Sequence, residues 1–100
     1  MVKLLSIDSS TSSTGYSIFI DGKYEKSGCI DLKNYKEDKL QKMVDSLFHL
    51  IDTEAPDIVV AEEMVVTRNA QAARNLTMLL GAIYGKCFEK QIFWFVLRPT

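Results

Sequence analysis

The sequence predicts an α/β fold: a mixed five-stranded sheet with three antiparallel strands, then two parallel strands joined through helices, in the order βββαβαβ. Three observations predict it. The first third of the chain holds three short runs rich in β-formers with tight polar connections. Two longer segments then carry apolar residues at helical spacing. Each is followed by a short apolar run of strand length, and a helix between two strands makes a parallel crossover.

Val2 to Ile7 is a short apolar run stopped by the polar cluster Asp8-Ser9-Ser10-Thr11-Ser12-Ser13, a buried strand followed by a loop. Gly15 to Ile20 is the second strand, and Asp21-Gly22 is a strong hairpin signal. Lys23 to Ile30 returns with mixed polarity and suits a place nearer the sheet edge. From about Tyr35 to Thr53 the period changes: Leu40, Met43, Val44, Leu47, Phe48, Leu50 and Ile51 mark one face of an amphipathic helix. After Pro56, Ile58 to Ala61 is a continuous apolar run typical of a parallel strand buried on both faces. Asn69 to Phe88 is helical again, and Ile92 to Leu97 is the fifth strand.

The 100 residues suffice for a single domain, 1–100, with one hydrophobic core. With 47% hydrophobic and 25% charged residues the composition is that of a globular protein, which excludes the disordered and collagen-like classes. The net charge of −1 provides no global basic field, so a polyanionic partner would have to be met by a local patch. Cys29 and Cys87 have no C-x-x-C spacing and are too few for a disulfide framework; they read as reduced, mostly buried thiols of a cytoplasmic protein. No stretch has the length of a membrane span. The chain stops directly after the apolar run Ile92 to Leu97, an ending expected of a domain truncated at its C-terminus.

Asp8 and Glu62 stand at the carboxyl ends of the first and fourth strands. If those strands are parallel neighbours, both acids project into one crevice, where open α/β sheets place their ligands. Two oxygen ligands suit a hard divalent cation, and a pair of such ions about 4 Å apart activates water and stabilises the leaving oxygen of a phosphodiester. An aspartate at the end of a strand also caps turns, which the Ser/Thr cluster after Asp8 would equally support. Spacing alone does not choose between Glu62 and Glu63.

These residues resemble the RuvC family of Holliday-junction resolvases, of the ribonuclease H-like superfamily. Leu5-Ser6-Ile7-Asp8, Thr14-Gly15-Tyr16-Ser17-Ile18 and Ser27-Gly28-Cys29-Ile30 are similar to its first three strands. Pro56 to Glu62, continuing through Arg68-Asn69-Ala70 to Gly81, resembles its fourth strand and following helix. That register implies Glu62 rather than Glu63. The resemblance implies an Mg²⁺-dependent endonuclease (Mn²⁺ substituting) acting on Holliday junctions or other branched DNA. Asp8 and Glu62 would be its catalytic metal ligands, and the second helix (69–88) the homodimer contact.

The chain departs from the family in three places. Ser9-Ser10 replaces a frequent Pro-Gly, and Met64-Val65-Val66 stands where many members carry an aromatic residue. The family also completes its site with two acids on a C-terminal helix, whereas after Glu63 this chain has only Glu89. The 100-residue chain alone is therefore expected to be inactive or very weak.

Ser10, Thr14, Arg68 and Asn69 are the candidates for DNA contact, with Ser9 as a further hydroxyl near the site. The last two lie where helix N-terminal amides also favour phosphate. Turn chemistry explains the hydroxyls equally well. Arg74, Lys86 and Arg98 are further candidate phosphate contacts. His49 is expected on the surface or in the packing of the first helix, and Trp94 with Phe93 and Phe95 in the sheet core. The small residues Ala73, Thr77 and Gly81 suit either a partner helix or the domain's own sheet.

A second reading is an ATP-binding domain of the actin, heat-shock chaperone and sugar-kinase superfamily, whose phosphate loop resembles Asp8-Ser9-Ser10-Thr11-Ser12. That loop normally needs glycine for close approach to phosphate, and Ser9-Ser10 has none. A third is a DNA-binding domain that is catalytically incomplete.

Overall fold

A computed structural model describes residues 1–62 and 70–97. In chain order the elements are β1 (Lys3–Asp8), β2 (Ser13–Ile20), β3 (Lys23–Asp31), α1 (Lys39–Glu54), β4 (Ile58–Glu62), α2 (Ala70–Lys90) and β5 (Phe93–Leu97). They form one sheet in the order β3-β2-β1-β4-β5. Strand β2 runs antiparallel to both β1 and β3, while β4 runs parallel to both β1 and β5. The expected fold class is the observed one.

Local chemistry explains where elements begin and end. The Asp21-Gly22 hairpin has positive φ at both residues (52° and 81°), as the tight turn between twisted strands requires. α1 starts at Lys39 rather than near Tyr35. The Tyr35 N–H is drawn into a turn on Leu32 O, and Asp38 holds the N-cap position in a left-handed conformation at φ 58°, without a side-chain capping bond. α1 ends on Ala55, also left-handed, just before Pro56. β5 begins at Phe93 rather than Ile92, because Gln91 has φ 59° and the Ile92 N–H is committed to Cys87 O.

Alternation along the strands divides the sheet into two faces. Leu5, Ile7, Ile18 and Val59 point to one face and are fully buried. They meet Met43, Leu47 and Ile51 of α1 and Leu79, Ile83 and Cys87 of α2 in a single core. The spacing of four in each helix set places these residues in one stripe. Burying each large aliphatic side chain stabilises the fold by about 1.5–3 kcal/mol.

The opposite face carries no helix among the described residues. Two expectations are corrected there. Trp94 packs against the core, its ring edge-on to Tyr84, but Phe93 and Phe95 are 69% and 54% exposed. They belong to the other alternation class, beside Ile58 and Val60, and so point away from the helices. Cys29 likewise is exposed, and only Cys87 is a buried thiol.

Candidate functional site

Register brings the two acids together. In the parallel pairing of β1 with β4, Asp8 lies directly opposite Glu62, each the last residue of its strand. Asp57 fixes that register from the far end. Its carboxylate accepts from the Lys3 N–H at 2.8 Å, its own N–H donates to Lys3 O at 2.8 Å, and its carbonyl accepts from the Phe93 N–H at 3.1 Å. Three strands are thereby stapled at their amino ends, so their carboxyl ends finish level. Adjacent strands lie roughly 4.8 Å apart, which sets two carboxylates side by side on the face without helices.

Both acids are exposed, and among the described residues neither takes part in an ion pair. Several basic side chains of the described residues are engaged elsewhere. Lys3 and Lys26 hold Glu54 at 2.9 Å each, and the Lys3 hydrogen bond is the largest of the effects that keep the Glu54 carboxyl below its usual range. Glu54 in turn raises the Lys26 ammonium pKa. Lys86 pairs with Asp52 at 3.0 Å and lies over the Phe48 ring, lowering the Asp52 carboxyl. Lys3 begins the strand that Asp8 ends, so this basic cluster is roughly 16 Å from the acids.

The acids rim a depression of about 330 Å³ whose floor includes Ser6, Gly15, Ser17 and Ser27. The donor set is entirely oxygen, as Mg²⁺ or Mn²⁺ prefers, and two neighbouring like charges without a cation favour taking one up. The described residues contain no cluster of three or more Asp, Glu, His or Cys side chains. Two carboxylates fit one hard cation that keeps most of its water.

The loop after Asp8 is held by its own hydroxyls. Thr14 Oγ1 donates to Ser10 O at 2.7 Å and accepts from the Ser10 N–H at 3.2 Å. Ser10 Oγ accepts from the Ser12 and Ser13 N–H groups at 3.2 and 3.4 Å. Thr14 is completely buried, so the expected direct DNA contact gives way to a loop-ordering role. Ser10 stays partly exposed but its hydroxyl is already an acceptor for two amides. Ser9 is buried, and its hydroxyl has no hydrogen-bond partner among the described residues.

Of the remaining candidates, Arg68, Asn69, Glu63 and Arg98 lie outside the described residues. Lys86 is committed to Asp52, and Arg74 donates to Gln71 at 3.1 Å. His49 is exposed on α1, with its ring nitrogen 3.4 Å from the Thr53 hydroxyl and far in sequence from the acids. Thr77 and Gly81 are exposed on α2, the Thr77 hydroxyl donating to Ala73 O, so this face does not serve packing on the sheet. The serines at positions 6, 17 and 27 were not singled out from the sequence. Their signal was alternation: Ser6 is two residues before Asp8 and therefore on its face.

No curated protein matches the chain by sequence. Solved structures do match in fold. The RuvC of Thermus thermophilus in complex with a Holliday junction substrate has a TM-score of 0.80 at 14% identity, covering 99% of this chain and 66% of that one. The yeast mitochondrial Holliday junction resolvase Ydc2 scores 0.73 at 16% identity, covering 98% and 51%. The fowlpox virus resolvase in complex with Holliday junction DNA scores 0.70 at 16% identity, covering 99% and 62%. The chain thus spans between about half and two thirds of the length of these structures. The family model for the crossover junction endodeoxyribonuclease RuvC matches residues 4–99, a span running from β1 past both acids to the end of β5. On that match, and with Asp8 beside Glu62 at the strand ends, the chain belongs to the RuvC family.

Proposed function

We propose that this chain is the Asp8- and Glu62-bearing part of a structure-specific endodeoxyribonuclease that resolves Holliday junctions or other branched DNA by two-metal phosphodiester hydrolysis. The observation that carries the proposal is the direct opposition of Asp8 and Glu62 on the face without helices. Asp8 and Glu62 would hold Mg²⁺, or Mn²⁺ in its place. Bound there, the metal supplies Lewis-acid activation of water and charge stabilisation at the leaving oxygen. The protein's own part is to fix the two carboxylates through the Asp57 staple and to leave the sheet beside them open to a strand of DNA.

Ser10, and Arg68 and Asn69 from the stretch that follows Glu62 in sequence, are proposed DNA contacts. Residues 1–100 act as one ribonuclease H-like domain, and α2 offers a homodimer face: Met78, Tyr84 and Phe88 are 58%, 52% and 77% exposed on it. No helix among the described residues is long and apolar enough to cross a membrane, and a cytoplasmic location is part of the proposal.

Two carboxylates hold a pair of divalent ions poorly, so the chain alone should bind junctions while cleaving them very slowly. Ordinary cleavage rates from the 100 residues in Mg²⁺ would overturn that account. The site itself is tested by titrating Mn²⁺ into the wild type, Asp8→Asn and Glu62→Gln. Loss of binding in both variants is expected, and unchanged binding in both sinks the proposal. A catalytically incomplete DNA-binding domain, favoured by the presence of only two acids in the described site, would bind junctions with no dependence on metal.

A further inference from the structure

The depression beside the acids has a feature that metal binding does not explain. Ser6 faces Ser17 in the β1–β2 pairing, and Ser17 faces Ser27 in the β2–β3 pairing. Cross-strand partners share a face, so three hydroxyls form a row across three strands, one step along from Asp8 and Gly15. Serine is a poor choice for a strand interior, which favours β-branched and aromatic side chains. Ser27 Oγ is 2.8 Å from the Tyr24 hydroxyl. The hydroxyls of Ser6 and Ser17 make no hydrogen bond within the described residues and are partly exposed to the depression.

Gly15 points the same way. It sits mid-strand opposite Asp8, where glycine costs about 0.5–1 kcal/mol relative to alanine. Nothing inside the protein requires it: its φ is not positive, and a Cβ there would meet no atom within 4 Å. Gly28, by contrast, is required, because a Cβ would strike the Tyr16 ring. The space at Gly15 is open to the outside, directly beside a carboxylate.

We propose that Ser6, Ser17 and Ser27, with the gap at Gly15, form a track for the phosphodiester backbone of the DNA strand, seating it as it leaves the acid pair and crosses β1, β2 and β3. Neutral hydroxyl donors suit this place. They can hydrogen-bond phosphate oxygens without competing with a cation at Asp8 and Glu62, and such contacts fix register on the backbone without reading sequence. The inference rests on the nuclease reading and adds the path of the substrate.

The test measures affinity for a synthetic four-way junction, with Ca²⁺ in place of Mg²⁺ to suppress cleavage, across a salt series. The double variant Ser6→Ala/Ser17→Ala should bind at least about 100-fold more weakly, the loss expected for two hydrogen bonds to a charged partner. The slope of affinity against salt should stay unchanged, since no cation is removed. Gly15→Val should weaken binding by at least about tenfold while its Tm holds or rises, because valine suits a strand and a Cβ at this position meets no atom within 4 Å. The Mn²⁺ affinity of the serine variant should equal that of the wild type. Wild-type junction affinity in both variants overturns the track and leaves the nuclease proposal standing. A wild-type protein that binds no junction overturns both.

Discussion

Gly28→Ala tests whether the packing beneath the site is as tight as the distances state. A Cβ at Gly28 would lie 2.5 Å from Tyr16 Oη, 2.6 Å from Cζ and 2.9 Å from Cε2. Carbon atoms pack at about 3.5–4.0 Å, so the ring must withdraw by roughly 1 Å. Tyr16 is itself packed against the core, with Ile7 as its partner on one side and Gly28 on the other. Overpacking of this kind costs about 1–3 kcal/mol, and alanine recovers about 0.5–1 kcal/mol of the glycine penalty. The net loss is about 1–2 kcal/mol, or a fall in Tm of roughly 5–15 °C for a domain this small. Thermal melts followed by far-UV circular dichroism measure it. The decisive arm is a double-mutant cycle with Tyr16→Leu, which deletes all three clashing atoms. In that background Gly28→Ala should be neutral or stabilising. Equal destabilisation in both backgrounds, or none in the wild type, would refute the steric account.

Three further outcomes follow from the ionisable groups. Glu54 is held below the ordinary carboxyl value of 4.5 first by the Lys3 hydrogen bond and then by that of Lys26. Its stabilising contribution is therefore complete above pH 4.5 and lost as pH falls through the lower folded value. The Tm advantage of the wild type over Glu54→Gln should accordingly shrink as the buffer is acidified below 4.5, and a constant advantage would contradict the pairing. Asp8→Asn removes a like charge directly opposite Glu62 and should stabilise the metal-free protein by about 0.2–1 kcal/mol; added Mn²⁺ should then raise the Tm of the wild type but not of the variant. Burial pushes the Cys87 thiol up to about 11, so a thiol reagent at pH 8 should titrate Cys29 alone in the folded state and both cysteines once urea is added.

Most of the architecture could be read from local signals. The Asp21-Gly22 turn, the helical stripe through Met43, Leu47 and Ile51, and the apolar run into Glu62 each carry their own period or turn chemistry. Element ends were less legible, since Asp38 and Gln91 adopt left-handed conformations that nothing in their neighbours announces. The run Phe93-Trp94-Phe95-Val96-Leu97 misled for a different reason. Uninterrupted apolarity marks a strand buried on both faces, whereas the described residues cover only the side that Trp94 enters. Thr14 and Ser10 have the composition of a phosphate-binding loop, but hydroxyls that bond their own backbone look the same in sequence.

The site depends on a quantity that no single segment contains, the register between β1 and β4. Each strand alternates core-facing and open-facing side chains, so a slip of one residue would turn Glu62 toward the helices and present Ala61 or Glu63 in its place. What prevents the slip is the core. Leu5 pairs with Val59 and Ile7 with Ala61, all four fully buried, while Asp57 locks the amino ends. The helix-covered face therefore fixes the geometry of the face that does the chemistry. The exposed acids can lie together, at the cost of their repulsion, because the residues alternating with them cannot move.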